Sequence, residues 1–78
     1  MTTDESVLKT IGRLVEEEQS LYSKKPMDDG DQERVAALKV ELDQCWDLLR
    51  QRRALREFGE DPDHAAVRPA AIVENYEQ

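Results

Sequence analysis

Apolar positions along the chain fall into two long stripes separated by a short polar connection. In the first, Val7, Leu8, Ile11, Leu14, Val15, Leu21 and Tyr22 recur at i, i+3, i+4 and i+7, the spacing of one buried helical face. This predicts a helix over about 4–23. Thr3 is placed to cap it, its hydroxyl accepting a bond from an amide of the open first turn. Asp4 and Glu5 then sit at the positive end of the helix dipole. Glu18 interrupts the stripe where the repeat would place an apolar residue. Gly12 lies inside the helix, at a cost of up to ~1 kcal/mol against alanine. It reads either as a tolerated surface glycine or as the mark of a close helix crossing.

The second stripe is Val35, Leu38, Leu42, Cys45 and Leu49, a strict heptad alternation. Trp46 widens it on one side. Leu48 and Leu55 extend it on the other, and Phe58 lies one turn beyond Leu55. A helix over about 32–58 is predicted, with Asp31 as its N-cap and Gly59 as a left-handed C-cap. The connection over 24–31 contains Pro26, which ends the first helix, and Gly30, which permits a turn. So short a loop favours antiparallel neighbours. The expected fold class is therefore all-α: an antiparallel two-helix hairpin over 1–58, followed by a partly ordered C-terminal tail over 59–78.

The second helix, at roughly 40 Å, outruns the first, at roughly 30 Å, and overhangs it near 53–58. In the tail, Asp61-Pro62 reads as a cap and first turn for a short helical segment over 62–66. Arg68 precedes Pro69 and should be extended. Pro69 could open another turn carrying Ile72, Val73 and Tyr76. These apolar residues should pack on the overhang or on a second copy of the chain.

If the helices are antiparallel, facing residues have numbers summing to about 57 for a loop at this position. Leu21 then faces Leu38 or Val35, Leu14 and Val15 face Leu42, Ile11 faces Cys45 and Trp46, and Val7 and Leu8 face Leu49. The same register sets Glu18 opposite Lys39, and Asp4 and Glu5 opposite Arg52 and Arg53. Exposed pairs of this kind contribute only ~0–1 kcal/mol each, yet they disfavour wrong registers. Leu48, Leu55 and Trp46 lie off the seam and should stay partly exposed in a monomer. A homodimeric four-helix arrangement would cover them; monomer and homodimer both remain open.

Composition narrows the function classes. Seventy-eight residues make one domain at most. The lone Cys45 forbids an internal disulfide, which points to a reducing cytoplasm. No apolar run approaches the ~20 residues of a membrane span, and the acidic N-terminus does not resemble a signal peptide. The net charge of −7 opposes general nucleic-acid binding, because phosphate backbones repel an acidic surface. It is uneven: −5 over 1–33, +2 over 34–58 and −4 over 59–78.

The positive segment holds Arg50, Arg52, Arg53 and Arg56, crowded at i, i+3 and i+4. These could form an oxyanion or nucleic-acid site, since guanidinium forks grip oxyanions. The structural reading has the stronger case: cations near a helix C-terminus complement the dipole, acidic partners abound, and no aromatic residues alternate with the arginines to stack bases. Cys45 has no histidine near it in sequence to act as a base, and His64 stands among Glu60, Asp61 and Asp63 without metal-ligand spacing. Glu16, Glu17 and Glu18 point three ways around the helix. No catalytic residue, metal set or cofactor site is expected. Tryptophan is enriched at interface hot spots, so the candidate contact face is Trp46, Leu48, Leu55 and Phe58, with the arginines setting orientation. A non-enzymatic protein–protein interaction or structural module is the expected function.

The stretch Val40-Glu41-Leu42-Asp43-Gln44-Cys45-Trp46-Asp47-Leu48-Leu49-Arg50-Gln51-Arg52-Arg53-Ala54-Leu55-Arg56, with Asp61-Pro62-Asp63, Val67-Arg68-Pro69 and Val73-Glu74-Asn75-Tyr76, resembles a family of small bacterial proteins of unknown function. The resemblance covers about 6–78. It implies a short helical hairpin in a bacterial cytoplasm and carries over no activity, partner or functional residue.

Overall fold

The computed structural model describes residues 2–71. Two helices, α1 (Asp4–Tyr22) and α2 (Asp29–Glu57), pack against each other, and a 3-10 turn (Pro62–His64) follows. α1 starts where its cap residues dictate. The Thr3 hydroxyl accepts from the Ser6 amide at 3.0 Å, and the Ser6 hydroxyl accepts from the Thr3 amide at 2.9 Å, so two orphan donors are satisfied reciprocally.

α2 begins earlier than the sequence pattern suggests. Its cap is Asp28, not Asp31. The Asp28 carboxylate accepts from the Asp31 amide at 2.7 Å, and Asp31 accepts from the Asp28 amide at 3.3 Å. This reciprocal box satisfies the first-turn amides well enough to hold Gly30 inside the helix rather than in a turn. Lys24 reaches Asp31 at 3.2 Å and pins the connection to it. At the far end Gly59 adopts φ 75°. Its amide donates to Arg56 O, and the Glu60 amide donates to Leu55 O at 2.8 Å, a Schellman closure that reverses the chain.

The hairpin seam is built as the stripes require. Leu14 and Leu38 are fully buried, and Val7, Ile11 and Val35 nearly so. Around Val7, Ile11 and Leu48, the partly buried Val15, Leu42, Cys45 and Leu49 pack, joined by Ala65 from the tail. Leu48 departs from expectation: it is buried in the single chain. The tail folds back across its side of α2, and Ala65 covers what two helices alone would leave open. Residues 63–68 therefore lie along α2 from Gln44 to Arg52 rather than on the overhang near 53–58. The expected turn carrying Ile72, Val73 and Tyr76 lies outside the described residues.

The ion pairs agree with an antiparallel seam and correct it in detail. Arg52 Nε meets Asp4 at 2.7 Å, near the expected register. Glu17, one residue from the predicted Glu18, takes Arg34 at 2.5 Å. Lys39 stands 5.9 Å above the Tyr22 ring, with Glu18 acting on it only through space. Arg53 pairs with Glu57 and Glu5 with Lys9, each along its own helix. Among the described residues, no helix is long and apolar enough to cross a membrane.

Candidate functional site

One flank of α2 is closed by the chain's own tail. Gln44, Asp47 and Gln51 stand at i, i+3 and i+7, which aligns them on one helical face, and each meets the returning chain. Gln44 donates to Arg68 O at 3.1 Å. Gln51 donates to Ala66 O at 2.8 Å and accepts from the Ala66 amide at 3.4 Å. Asp47 is 0% exposed. Its carboxylate accepts from Arg68 Nε at 2.9 Å, from Arg68 Nη2 and from Gln51 at 2.8 Å. The Arg68 guanidinium, followed by the Gln51 bond, holds the Asp47 carboxyl below its ordinary range despite burial. Among the described residues, Asp47 is the most deeply buried charged side chain. Sequence pattern missed it, because Asp47 lies opposite the leucine seam, where a solvated residue is the default. The available signal was the polar Gln44, Asp47, Gln51 stripe facing an arginine in a tail rich in apolar residues.

The arginine cluster is divided among separate partners. Arg52 is 7% exposed and bridges Asp4 at 2.7 Å and Asp63 at 3.0 Å, tying the start of α1 to the 3-10 turn. Arg56 meets Asp4 at 2.8 Å, and its bond, then that of Arg52, lowers the Asp4 pKa. Arg53 takes Glu57 at 3.5 Å. Arg50, Gln51, Ala54 and Arg68 line a hollow beside the tail. The cluster works mainly as internal clamps that hold the tail and both helix ends.

Among the described residues, the opposite flank of the hairpin is left open. Lys39 over Tyr22 shows which edges of the helices adjoin there. Leu8, Val15 and Tyr22 form a heptad row on α1, and Lys39, Trp46 and Arg53 form one on α2. Trp46 is 45% exposed, and Leu8 and Tyr22 are exposed to about the same degree. The expected contact face does not survive as one surface. Trp46 and Leu48 are two residues apart, which puts them roughly 160° apart around the helix. Leu48 is buried under the tail, Leu55 is half-buried, and Phe58, 80% exposed, projects at the C-cap. Of that set, Trp46 alone belongs to the open flank, where Leu8 and Tyr22 join it.

Cys45 is half-buried, and burial pushes its thiol pKa up, away from the reactive thiolate. It borders a shallow cleft of about 250 Å³ with Ser6 and Thr10. Both hydroxyls there are engaged by backbone oxygens, Ser6 with Thr3 O at 2.8 Å and Thr10 with Ser6 O at 3.1 Å. His64 sits exposed in the 3-10 turn. Among the described residues, no group of three or more His, Cys, Asp or Glu could hold a metal ion.

Relatives align with this chain over most of its length. Uncharacterised proteins of Mycobacterium tuberculosis and Mycobacterium bovis are 47% identical over 78 residues, spanning 95% of this chain and 90% of theirs. No solved structure matches. Residues 3–78 match a family described as "Protein of unknown function (DUF2630)". Nearly the whole hairpin and tail therefore fall within one shared sequence pattern, and this chain belongs to the DUF2630 family.

Proposed function

We propose that this chain is a non-enzymatic protein–protein interaction module of the bacterial cytoplasm, with the open flank around Trp46 as its contact surface. The observation that carries the reading is the asymmetry of the hairpin. The tail closes one flank with a buried ion pair, while the other leaves a tryptophan, a leucine and a tyrosine half-exposed. A large aromatic ring set among apolar neighbours is the usual anchor of a protein contact. The oxyanion or nucleic-acid reading gains nothing comparable, because Arg52, Arg53 and Arg56 already hold carboxylates.

The test is affinity capture from the native host with the wild-type chain and with Trp46→Ser. Helicity is checked by circular dichroism. Proteins retained by the wild type and lost with Trp46→Ser are expected. Identical retention by two equally folded chains would overturn the reading.

A further inference from the structure

We infer that the open flank docks a second copy of this chain about a two-fold axis running parallel to the helices, so that Trp46 of each copy seats over Gly12 of the other. This deepens the proposed function by naming the occupant, and it rests on that contact surface.

The first argument is shape. Gly12 falls on the same flank, between Leu8 and Val15, and is exposed. A Cβ built there would meet nothing within 4 Å, so the chain's own packing does not require glycine. Glycine inside a helix is otherwise unfavourable against alanine. Its position makes a shallow gap in the α1 row at nearly the height of Trp46 on α2. The heptad rows pair Tyr22 with Lys39 and, one repeat on, Val15 with Trp46. Gly12 is less than one turn from Val15, or about 4.5 Å along the axis. The flank therefore carries both a knob and a gap that can receive it.

The second argument is charge. Beside its apolar row, α1 presents Glu5, Lys9 and Glu16, net −1. The outer edge of α2 presents Lys39, Arg53 and Glu57, net +1. An axis along the helices sets each α1 against the partner's α2, joining opposite signs. It also brings Arg53 near the height of Glu5 in the other copy. An axis across the helices would set α1 on α1 and α2 on α2, joining like signs and separating Trp46 from Gly12.

The third argument is size. A footprint about 28 Å long and two helices wide amounts to roughly 550 Å² per copy. Stable complexes bury about 800 Å² per partner. The expected dimer is therefore smaller in contact area than a stable complex, and reversible.

Sedimentation equilibrium of the full chain tests this, with two variants. Gly12→Leu fills the gap at a position where a Cβ meets nothing within 4 Å, and Trp46→Ser removes the knob. Each should weaken dimerisation at least tenfold while helicity is retained. If Trp46→Ser lowers helicity, Gly12→Leu alone carries the test. Spin labels on Lys25→Cys, in a Cys45→Ser background, then read the axis. Both loops at one end should give a separation of roughly 20–25 Å, about two helix diameters. Loops at opposite ends would give a separation near the 49 Å long dimension of the chain.

A strict monomer at high micromolar concentration overturns the inference, as does the long spin–spin distance or a dimer unaffected by Gly12→Leu. A monomer whose host capture still depends on Trp46 would leave the contact surface standing and remove only the second copy as its occupant.

Discussion

Replacing Asp47 with alanine removes the clasp between α2 and the tail, and the structure sets the size of the effect. The carboxylate is fully buried and takes three bonds, two from Arg68 and one from Gln51. Breaking a buried ion pair by deleting one member costs about 3–5 kcal/mol when the other stays buried. The Arg68 side chain is 38% exposed and can turn toward water, which lowers the expected loss to about 2–3 kcal/mol. For a domain of this size each kcal/mol shifts Tm by about 4–8 °C, so a fall of roughly 10–20 °C is expected in a thermal melt followed by circular dichroism. The double variant Asp47→Ala, Arg68→Ala should recover at least about 1 kcal/mol relative to the sum of the single changes, because the two residues share one interaction. A fall below about 3 °C, or strict additivity, would show that the tail is held by something other than this fork.

Acid should act through the same groups. The Asp47 and Asp4 pKa values are depressed in the folded chain, by Arg68 and by Arg56 with Arg52 respectively. Their contributions are therefore complete above the ordinary carboxylate pKa of about 3.9 and disappear as pH falls through the lower folded values. Melts between about pH 2 and 6 should lose Tm steeply below about pH 4, and Asp47→Asn should flatten that slope; a curve merely offset from wild type would contradict the assignment. Gly59→Ala forces a side chain into φ 75° and should cost about 1 kcal/mol, read as a Tm lowered by several degrees. Titration of labelled RNA at low salt should show no specific complex, since Arg52, Arg53 and Arg56 already hold carboxylates; tight, steeply salt-dependent binding abolished by Arg53→Ala would reverse that conclusion.

The legible parts of this fold are those set by local rules. Thr3 caps α1, the leucine seams pair in opposite directions, Gly59 takes the left-handed cap, and Asp61 with Pro62 opens a short turn. The periodic stripe of α2 marks Asp31 as its cap, because that residue precedes the first apolar positions. Asp28 prevails because its box with Asp31 closes two amides at once. The larger omission is non-local. Burial of Leu48 and Asp47 depends on a tail that returns across the polar face of α2, and helical periodicity reports only which residues face the neighbouring helix. The candidate surface changed for the same reason. Periodicity sets Leu48 and Leu55 off the seam as open contact residues, but the tail covers Leu48, and Leu55 is half-buried. Trp46, on the other side of the seam, kept its exposure.

The chain has a single tryptophan, so fluorotryptophan incorporation gives one 19F resonance at the centre of the open flank. Recorded in dilute buffer, at rising protein concentration and in host extract, that resonance should shift or broaden as Trp46 leaves water for a protein contact. One sharp line, unchanged in position and width under all three conditions, would contradict the claim that this flank is where the protein works.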